Sequence, residues 1–199
     1  VDPGHTLTTV SKSRNILASV EVDEEFETPF AVYEINRFLG ILSLYANPDI
    51  TFNENSMTIS EGKNSVNYVY ADRSQIVTAP KKEIKLPSVE VELELGHDDM
   101  THVLKGASIL GVDTVAFVGD GETAYLKAYN EKNPTSDSSV IELGKTTKEF
   151  TALYKTETLK LLPLDYHVRL CEKGISHFEG QDGKVNYWIA LESNSDFKS

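Results

Sequence analysis

The side chains of this chain that could carry acid–base or metal chemistry are few and scattered. The histidines follow no HExxH pattern and no other metal-ligand spacing. Two of them fall on adjacent predicted strands and could approach each other, although ordinary positions in a sheet are the simpler interpretation. The histidines in question are His5, His97, His102, His167 and His177, the last two being the adjacent pair.

Nucleophilic and phosphate-binding chemistry is not indicated either. Cys171 has no base beside it in the sequence and is typical of a strand residue. Asp98 and Asp99 could act as acid and base, but carboxylates at the N-terminus of a helix explain them without chemistry. The Gly119–Glu122 segment is typical of a hairpin turn, and the sequence contains no P-loop, GxSxG or GxGxxG motif. We therefore expect no enzyme, no metal and no cofactor.

The composition is that of an ordinary globular protein with one or two domains. Hydrophobic residues make up 40% and charged residues 25% of the 199 positions. No apolar run approaches the roughly 18–20 residues of a membrane span. One cysteine excludes an internal disulfide and fits a reducing cytoplasm. The net charge of −12 argues against nonspecific wrapping of nucleic acid, because the average surface repels phosphates.

Two helices stand out among segments that otherwise alternate like strands. The first begins at Ile35, carries an apolar stripe and is predicted to end at Asn47-Pro48, after a short strand over Phe30–Tyr33. The second is predicted over Asp98–Leu110, and a third, short helix over Thr156–Leu161. The stripe of the first helix consists of Ile35, Phe38, Leu39 and Leu42.

Two pairs of similar short segments, separated by nearly the same number of residues, indicate an internal repeat. Ser65–Ala71 resembles Lys184–Ala190, and Ala31–Glu34 resembles Ala152–Lys155. Each pair lies in the same order of strand, helix, proline and further strands. The sequence therefore predicts two similar α+β domains, with domain 1 at residues 1–71, a linker at 72–88 and domain 2 at 89–199.

Both long helices avoid acidic residues. No Asp or Glu occurs from Ile35 to Pro48 or from Met100 to Val112, in a chain where 31 of 199 residues are acidic. Two interpretations remain open. The helices cover a sheet and their exposed faces simply lack acids, or those faces line a surface meant for a polyanion with few, sequence-independent contacts.

Three blocks of this sequence resemble the sliding clamp of T-even-type bacteriophages. Tyr33–Leu44, with the run FLGILSL, resembles the central helix of that family. Asp98–Lys105, together with Leu110 and the Val112–Thr114 segment, is similar to the helix and following strand of its second domain. Phe178–Gly180 with the Asn186–Glu192 region is similar to its C-terminus. The resemblance is specific in these blocks and loose between them.

The resemblance implies a DNA-clamp fold: a homotrimeric ring of six similar domains, with sheets outside and helices lining a hole around duplex DNA. It implies a processivity factor without catalysis that tethers the phage DNA polymerase and is opened and closed by an ATP-driven clamp loader. The expected location is the cytoplasm of the infected bacterial host, with no membrane partner. The family pattern also predicts further residues ahead of Val1, including a first helix.

The resemblance also assigns surfaces. Family DNA-facing cations fall on Lys105 and Lys160, while Ser108 and Glu157 depart from that basic pattern. The ring is expected to close by pairing of edge strands, and partner peptides to dock in an apolar groove beside the linker. The complete predicted sets are Arg37, His102, Lys105, Lys155 and Lys160 facing DNA; Val66, Tyr68, Tyr70, Val140, Ile141 and Leu143 at the subunit interface; and Ile84, Leu86 and Pro87 in the peptide groove.

One alternative from another functional class stays open. A monomeric acidic peptide-binding module with the same duplicated fold and no role on DNA has the same composition and repeat. The mass of the protein in solution separates this module from a ring.

Overall fold

The computed structural model of the protein describes residues 1–80, 84–133 and 135–198. By its internal contacts the chain divides into two compact units. Unit 1 comprises Val1–Thr8 and Glu21–Ala79, and unit 2 comprises Thr9–Val20 and Pro80–Ser199. The change at Ala79 falls within the predicted linker, of which residues 81–83 lie outside the described residues. Residues 9–20, by contrast, group with the second unit. Contacts alone do not test a duplication, so the predicted domains stay a prediction.

Unit 1 contains one α-helix, a short 3₁₀ turn (Arg73–Gln75) and a small antiparallel sheet. A hairpin of two long strands crosses from unit 1 into unit 2 and back, and its turn holds Arg14 at a positive φ of 58°. The helix is followed by a three-stranded meander. In chain order the elements are β1 (Gly4–Val10), β2 (Ile16–Phe26), α1 (Ile35–Leu42), β3 (Asp49–Phe52), β4 (Ser56–Glu61) and β5 (Asn64–Val69).

The core of unit 1 is small. Four residues are buried in it, and the side chains of Phe38, Ile41 and Leu42 pack on them from α1. Phe38 contacts Tyr68 edge to face, with ring centroids 5.2 Å apart. The four buried residues are Phe30, Met57, Ile59 and Tyr68.

The predicted strand over Phe30–Tyr33 is wrong, since these four described residues form no strand. Phe30 is held by a pair of bonds with Val1, whose N-terminal ammonium donates to the Phe30 carbonyl and whose own carbonyl accepts from the Phe30 amide. The next backbone contact is from the Ala71 amide to the Ala31 carbonyl. Strand propensity without a continuous hydrogen-bonded neighbour gives an extended segment rather than a strand.

Helix α1 ends at Leu42, whereas the sequence predicted that it would continue to Asn47-Pro48. The hydroxyl of Ser43 donates to the Gly40 carbonyl, and the amides of Leu44 and Tyr45 bond back three residues rather than four. The last turn is therefore tight and irregular. The predicted apolar stripe also divides, because Phe38 and Leu42 pack inward whereas Ile35 and Leu39 remain 56% and 52% exposed.

Unit 2 contains most of the secondary structure and both larger sheets. One sheet has the strand order β14-β10-β7-β8-β9, and the other places β6, β11, β12 and β13 in line, with β13 pairing residues 16–20 of β2. The strand pairings described for these two sheets are antiparallel. The elements are β6 (Val91–Leu95), α2 (His97–Leu110), β7 (Thr114–Asp120), β8 (Thr123–Tyr129), β9 (Ser139–Lys145), β10 (Glu149–Lys155), β11 (Tyr166–Cys171), β12 (Ile175–Gly180), β13 (Val185–Ala190) and β14 (Asp196–Phe197).

Helix α2 follows the predicted span closely, and its sequence explains both ends. Asp98 and Asp99 lie in the first turn, where carboxylates interact favourably with the helix dipole. Gly111 ends the helix in the left-handed conformation with φ of 66°, which costs a residue without Cβ little. Met100, Val103 and Ala107 are buried on one face, in contact with the sheet below.

Helix α2 also approaches the start of β9 very closely. A Cβ atom added at Gly106 would lie 2.6 Å from both Cβ and Oγ of Ser139. Only a glycine allows the helix backbone to lie this near the strand.

The predicted third helix is a single 3₁₀ turn, Thr156–Leu159, rather than a helix over Thr156–Leu161. The Thr158 hydroxyl donates to the Lys155 carbonyl, which tightens the turn, and Leu159 is anchored in the core of unit 2. Pro163 follows and cannot continue a helix. None of the described helices is long and apolar enough to cross a membrane.

Candidate DNA-facing and interface surfaces

The outer face of α2 carries two of the predicted DNA-facing residues. His102 and Lys105 lie three residues apart, so both point to solvent from neighbouring turns. Ser108 lies on the same exposed face, as does Ile109, which is 85% exposed. Only Asp98, in the first turn, adds an acid to this face. Sequence reasoning missed Ile109, although its position off the apolar stripe of the helix was a usable signal.

The exposed face of α1 carries Arg37 among small neutral residues. Asn36, Gly40 and Ser43 are exposed beside it, and no acid lies within the helix. Arg37 also lines a cavity of about 400 Å³ between α1 and β5, together with Tyr33 and Glu34. Arg37 therefore lies both on the exposed surface of α1 and beside the edge strand β5.

Lys155 and Lys160 flank the 3₁₀ turn, but their charges differ in availability. Lys160 is exposed. The Nζ of Lys155 lies 3.2 Å from Oδ2 of Asp113. This hydrogen bond and the lysine charge hold the pKa of Asp113 below its usual value. A DNA phosphate would therefore have to compete with Asp113 for Lys155. Lys160 takes part in none of the ion pairs in the described part of the chain, so a phosphate would meet no such competition there.

The strand predicted at the first subunit interface is a true sheet edge, since β5 ends the order β3-β4-β5. The three predicted side chains, however, lie on the inward face of that strand. Tyr68 is buried and Tyr70, just beyond the strand, packs on the same core, with Val66 half-buried beside them. The outward residue is Val69, which is 67% exposed and was not predicted. Period-two alternation from Tyr68 was the signal that could have found it.

The second predicted interface strand is also an edge. β9 ends the five-stranded sheet, and Val140 is 48% exposed there. Ile141 and Leu143 are half-buried and pack on the core of unit 2. A register irregularity between Ala124 and Tyr125 interrupts the pairing of β8 with β9. The interface itself stays a prediction, since one chain has no partner to contact.

The predicted peptide-groove residues lie in the irregular segment that leads to β6. Ile84 and Leu86 are half-buried and Pro87 is exposed. The segment then runs alongside β11. Ser88 Oγ lies 3.3 Å from Sγ of Cys171, and the Glu90 amide donates to the Leu170 carbonyl.

The chemistry-bearing residues set aside at the outset fall into ordinary structural surroundings. Cys171 is buried, and its thiol contacts the hydroxyl of Ser88. Gly121 takes a positive φ of 91° in the β7–β8 turn. His167 and His177 lie on adjacent strands but do not face each other. The cross-strand neighbour of His167 is Glu179, and that of His177 is Arg169. Among the described residues no group of three or more His, Cys, Asp and Glu side chains is arranged to hold a metal ion.

Comparison with known proteins decides the family. Residues 92–193, slightly more than half of the chain, match the family model described as "gp45 sliding clamp, C terminal". The chain belongs to the gp45 sliding clamp family. The two acid-poor helix faces and the β5 and β9 sheet edges thus belong to a DNA polymerase sliding clamp.

Relatives of this sliding clamp come from bacteriophages. The sliding clamp of Vibrio phage KVP40 is 26% identical over 201 residues, which cover 97% of this chain and 90% of that protein. The sliding clamp of Enterobacteria phage T4 is 26% identical over 203 residues, covering 96% and 87%.

Solved clamps of other lineages share the fold at low identity. A. fulgidus PCNA, solved with the C-terminal region of FEN-1 bound to it, superposes with a TM-score of 0.70 at 16% identity, over 98% of this chain and 88% of that one. The Helicobacter pylori beta clamp in complex with 3,4-difluorobenzamide gives 0.69 at 14% identity, over 95% of this chain and 55% of that longer one. The α+β clamp fold predicted from the sequence is confirmed.

Proposed function

We propose that three copies of this sliding clamp associate head to tail into a closed ring around duplex DNA. The observation that carries the proposal is that each unit has an edge strand with an exposed apolar residue, β5 with Val69 in unit 1 and β9 with Val140 in unit 2, each at one end of its own sheet. Two different edges on one chain suit a heterologous interface, which forms a ring when its rotation closes. Pairing would also remove two exposed strand edges that otherwise invite aggregation.

In this ring the outer faces of α1 and α2 face the DNA. Arg37, His102, Lys105 and Lys160 offer a few dispersed charges, and Lys155 contributes less because Asp113 already binds it. Few phosphate contacts give weak, sequence-independent attraction that permits sliding. Retention then rests on the closed topology rather than on affinity.

The ring tethers the phage DNA polymerase to its template in the cytoplasm of the infected host, and an ATP-driven loader opens it. The clamp needs no cofactor and performs no catalysis of its own. Ile84, Leu86 and Pro87, in the segment ahead of β6, would receive apolar peptides from the polymerase and the loader. The phage origin of the related clamps supports this assignment.

The first test is the solution mass by light scattering across a dilution series. We expect a species of three times the 22.1 kDa chain mass that persists on dilution. Val69→Asp or Val140→Asp should reduce the mass to that of a monomer, since a charge enters a paired edge. Ile50→Asp is the matched control, because Ile50 is a 39% exposed apolar residue on β3, the opposite edge of the same small sheet.

The second test separates encirclement from ordinary binding. Clamps loaded onto nicked circular DNA should stay bound through gel filtration and dissociate after a restriction enzyme linearises the circle. Equal retention on circular and linear DNA would contradict a ring. A monomer at every concentration would contradict self-assembly.

A further inference from the structure

Two rows of polar side chains cross the solvent-facing side of the sheet formed by β6, β11, β12 and β13 in unit 2. The registers place Glu92, Arg169, His177 and Trp188 side by side in one row. Glu94, His167, Glu179 and Asn186 form the second row. We call these eight residues the outer-face network. The sliding-clamp function does not account for them.

The contacts of His177 define its protonation state. The Arg169 guanidinium approaches with Nη1 at 3.1 Å from Nδ1 of His177. Because a guanidinium can only donate, Nδ1 must carry a lone pair and accept. On the other side of the ring, Nε2 lies 2.9 Å from Oδ1 of Asn186. The Asn186 orientation is fixed because Nδ2 donates to the Gly183 carbonyl, which can only accept.

His177 is therefore the neutral Nε2–H tautomer in this arrangement. Burial lowers the pKa of His177, and the positive charges of Arg169 and His167 lower it further. The hydrogen bond to Asn186 and the charge of Glu179 oppose that shift. The ring also stacks on Trp188, with centroids 4.8 Å apart and planes 15° from parallel.

His167 lies in the opposite situation. Its Nδ1 is 2.6 Å from Oε1 of Glu94 and its Nε2 is 3.2 Å from Oε2 of Glu92. Carboxylates only accept, so both contacts are hydrogen bonds only when the ring carries a proton on each nitrogen. The two histidines therefore differ in their partners: two carboxylates for His167, and a guanidinium and an amide oxygen for His177.

We propose that the bond between His177 and Arg169 is a pH-sensitive contact on this face of the clamp. Protonation of His177 places an N–H at Nδ1 against the N–H of the guanidinium, so that two donors and two positive charges face each other. Arg169 then leaves His177. It retains its carboxylate partner Glu179, 2.7 Å away, and has Glu92 as a cross-strand neighbour.

The sign of the effect on stability follows from the lowered pKa. The unfolded chain takes up this proton near the ordinary histidine value of about 6.5, whereas the folded chain takes it up at lower pH. The contribution of neutral His177 to stability is therefore present above that value and is lost as the pH falls through the folded pKa. His177→Gln should remove this part of the pH dependence.

The chain offers a built-in reporter, because Trp188 is the single tryptophan. A protonated imidazole in contact with an indole quenches its emission more strongly than a neutral one. On titration of the full-length clamp from about pH 8 to about pH 5, we expect emission to fall with a midpoint below the ordinary histidine value. His177→Gln should abolish the fall, and His167→Gln, the matched control on the neighbouring strand, should retain it.

Arg169→Met tests the partner. Removing the guanidinium removes both a charge and a donor that favour the neutral ring, so the midpoint should move upward. A transition that persists in His177→Gln, an emission constant in the unmodified clamp, or an unchanged midpoint in Arg169→Met would each overturn the proposal.

A measurement without substitutions guards against variants that fail to fold. Long-range ¹H–¹⁵N spectra of the histidine rings distinguish the two neutral tautomers. The ring of His177 should carry its proton on Nε2 above neutral pH and gain a second proton on acidification. The Nδ1–H tautomer above neutral pH would contradict the hydrogen bond on which the proposal rests.

Discussion

Helices α1 and α2 occupy similar places in the sequence pattern but are held by different forces. α2 has 14 residues, acids in its first turn, a left-handed glycine after its last turn and three fully buried side chains. α1 has 8 residues, all of them described by the structure. It has no acid in its first turn and no buried side chain. Both carry an acid-poor face toward solvent, with only Asp98 in the first turn of α2, so the exposed faces are alike and the buried faces are not.

The comparison teaches that a functional surface need not be supported in the same way in both units. An isolated helix of 8 residues is unstable in water, so α1 depends on the few contacts of Phe38, Ile41 and Leu42. α2 contributes three of the twenty buried residues that form the core of unit 2 in the described part of the chain. We therefore expect the clamp to tolerate changes in α1 that it does not tolerate in α2.

The largest expected difference concerns the apolar face of each helix. Met100→Ala in α2 removes a side chain that is 4% exposed and should lower the free energy of unfolding by about 2–5 kcal/mol. Leu39→Ala in α1 removes one that is 52% exposed and should cost no more than about 0.5 kcal/mol. Urea denaturation monitored by circular dichroism measures both. Equal losses would show that α1 is as firmly anchored as α2.

The same substitution at the two mid-helix glycines should have opposite signs. Gly40→Ala in α1 meets nothing within 4 Å and gains helix propensity of up to about 1 kcal/mol. Gly106→Ala in α2 gains as much but drives a methyl group into Ser139, and overpacking of this kind costs about 1–3 kcal/mol.

Thermal unfolding should therefore give a higher Tm for Gly40→Ala and a lower one for Gly106→Ala. Combining Gly106→Ala with Ser139→Gly removes the obstructing side chain, so the double variant should recover part of the loss. A double variant no more stable than Gly106→Ala would exclude the clash as the cause.

The C-terminal residues of the helices sharpen the comparison further. Gly111→Ala forces an alanine into the left-handed conformation and should cost about 1 kcal/mol. Ser43→Ala, at the end of α1, keeps an ordinary helical conformation and loses one exposed hydrogen bond to Gly40, for about 0.5 kcal/mol or less. Hydrogen exchange of the last-turn amides would report the two effects locally, with fraying expected to increase chiefly in Gly111→Ala.

The smallest effects should be those on DNA contact. Lys105→Gln in α2 and Arg37→Gln in α1 should each reduce the slope of log affinity against log salt by at most about one, with little change in stability. Lys155→Gln should have less effect, because Asp113 already neutralises that charge. Fluorescence anisotropy with a labelled duplex across a salt series provides the test. An effect of Lys155→Gln equal to that of Lys105→Gln would contradict this ranking.

Sequence patterns predicted the well-packed regions better than the marginal ones. α2 begins one residue earlier than predicted and ends at Leu110 as predicted. Its apolar face has a core to pack against. The failures over Phe30–Tyr33 and at the end of α1 lie in unit 1, where the core is small and local hydrogen bonds decide the backbone.

The candidate surfaces were predictable only in part. Residue types and spacing were enough to place His102 and Lys105 on one exposed helix face. They also separate Tyr68 on the core side from Val69 on the solvent side, because Val66, Tyr68 and Tyr70 alternate with the polar Ser65 and Asn67, but the interface prediction did not use that alternation. They could not show that Lys155 is paired with Asp113, a contact between residues 42 positions apart.

The close approach of Gly106 to Ser139 has a mechanical meaning. Ser139 is the first residue of β9, the strand whose free edge ends the five-stranded sheet of unit 2. Between most helices and strands two layers of side chains absorb small displacements, but here only the short side chain of Ser139 lies between the strand and the helix backbone at Gly106. A force applied to the edge of β9 is therefore passed to α2 with little intervening deformation, and the helix supports the strand mechanically.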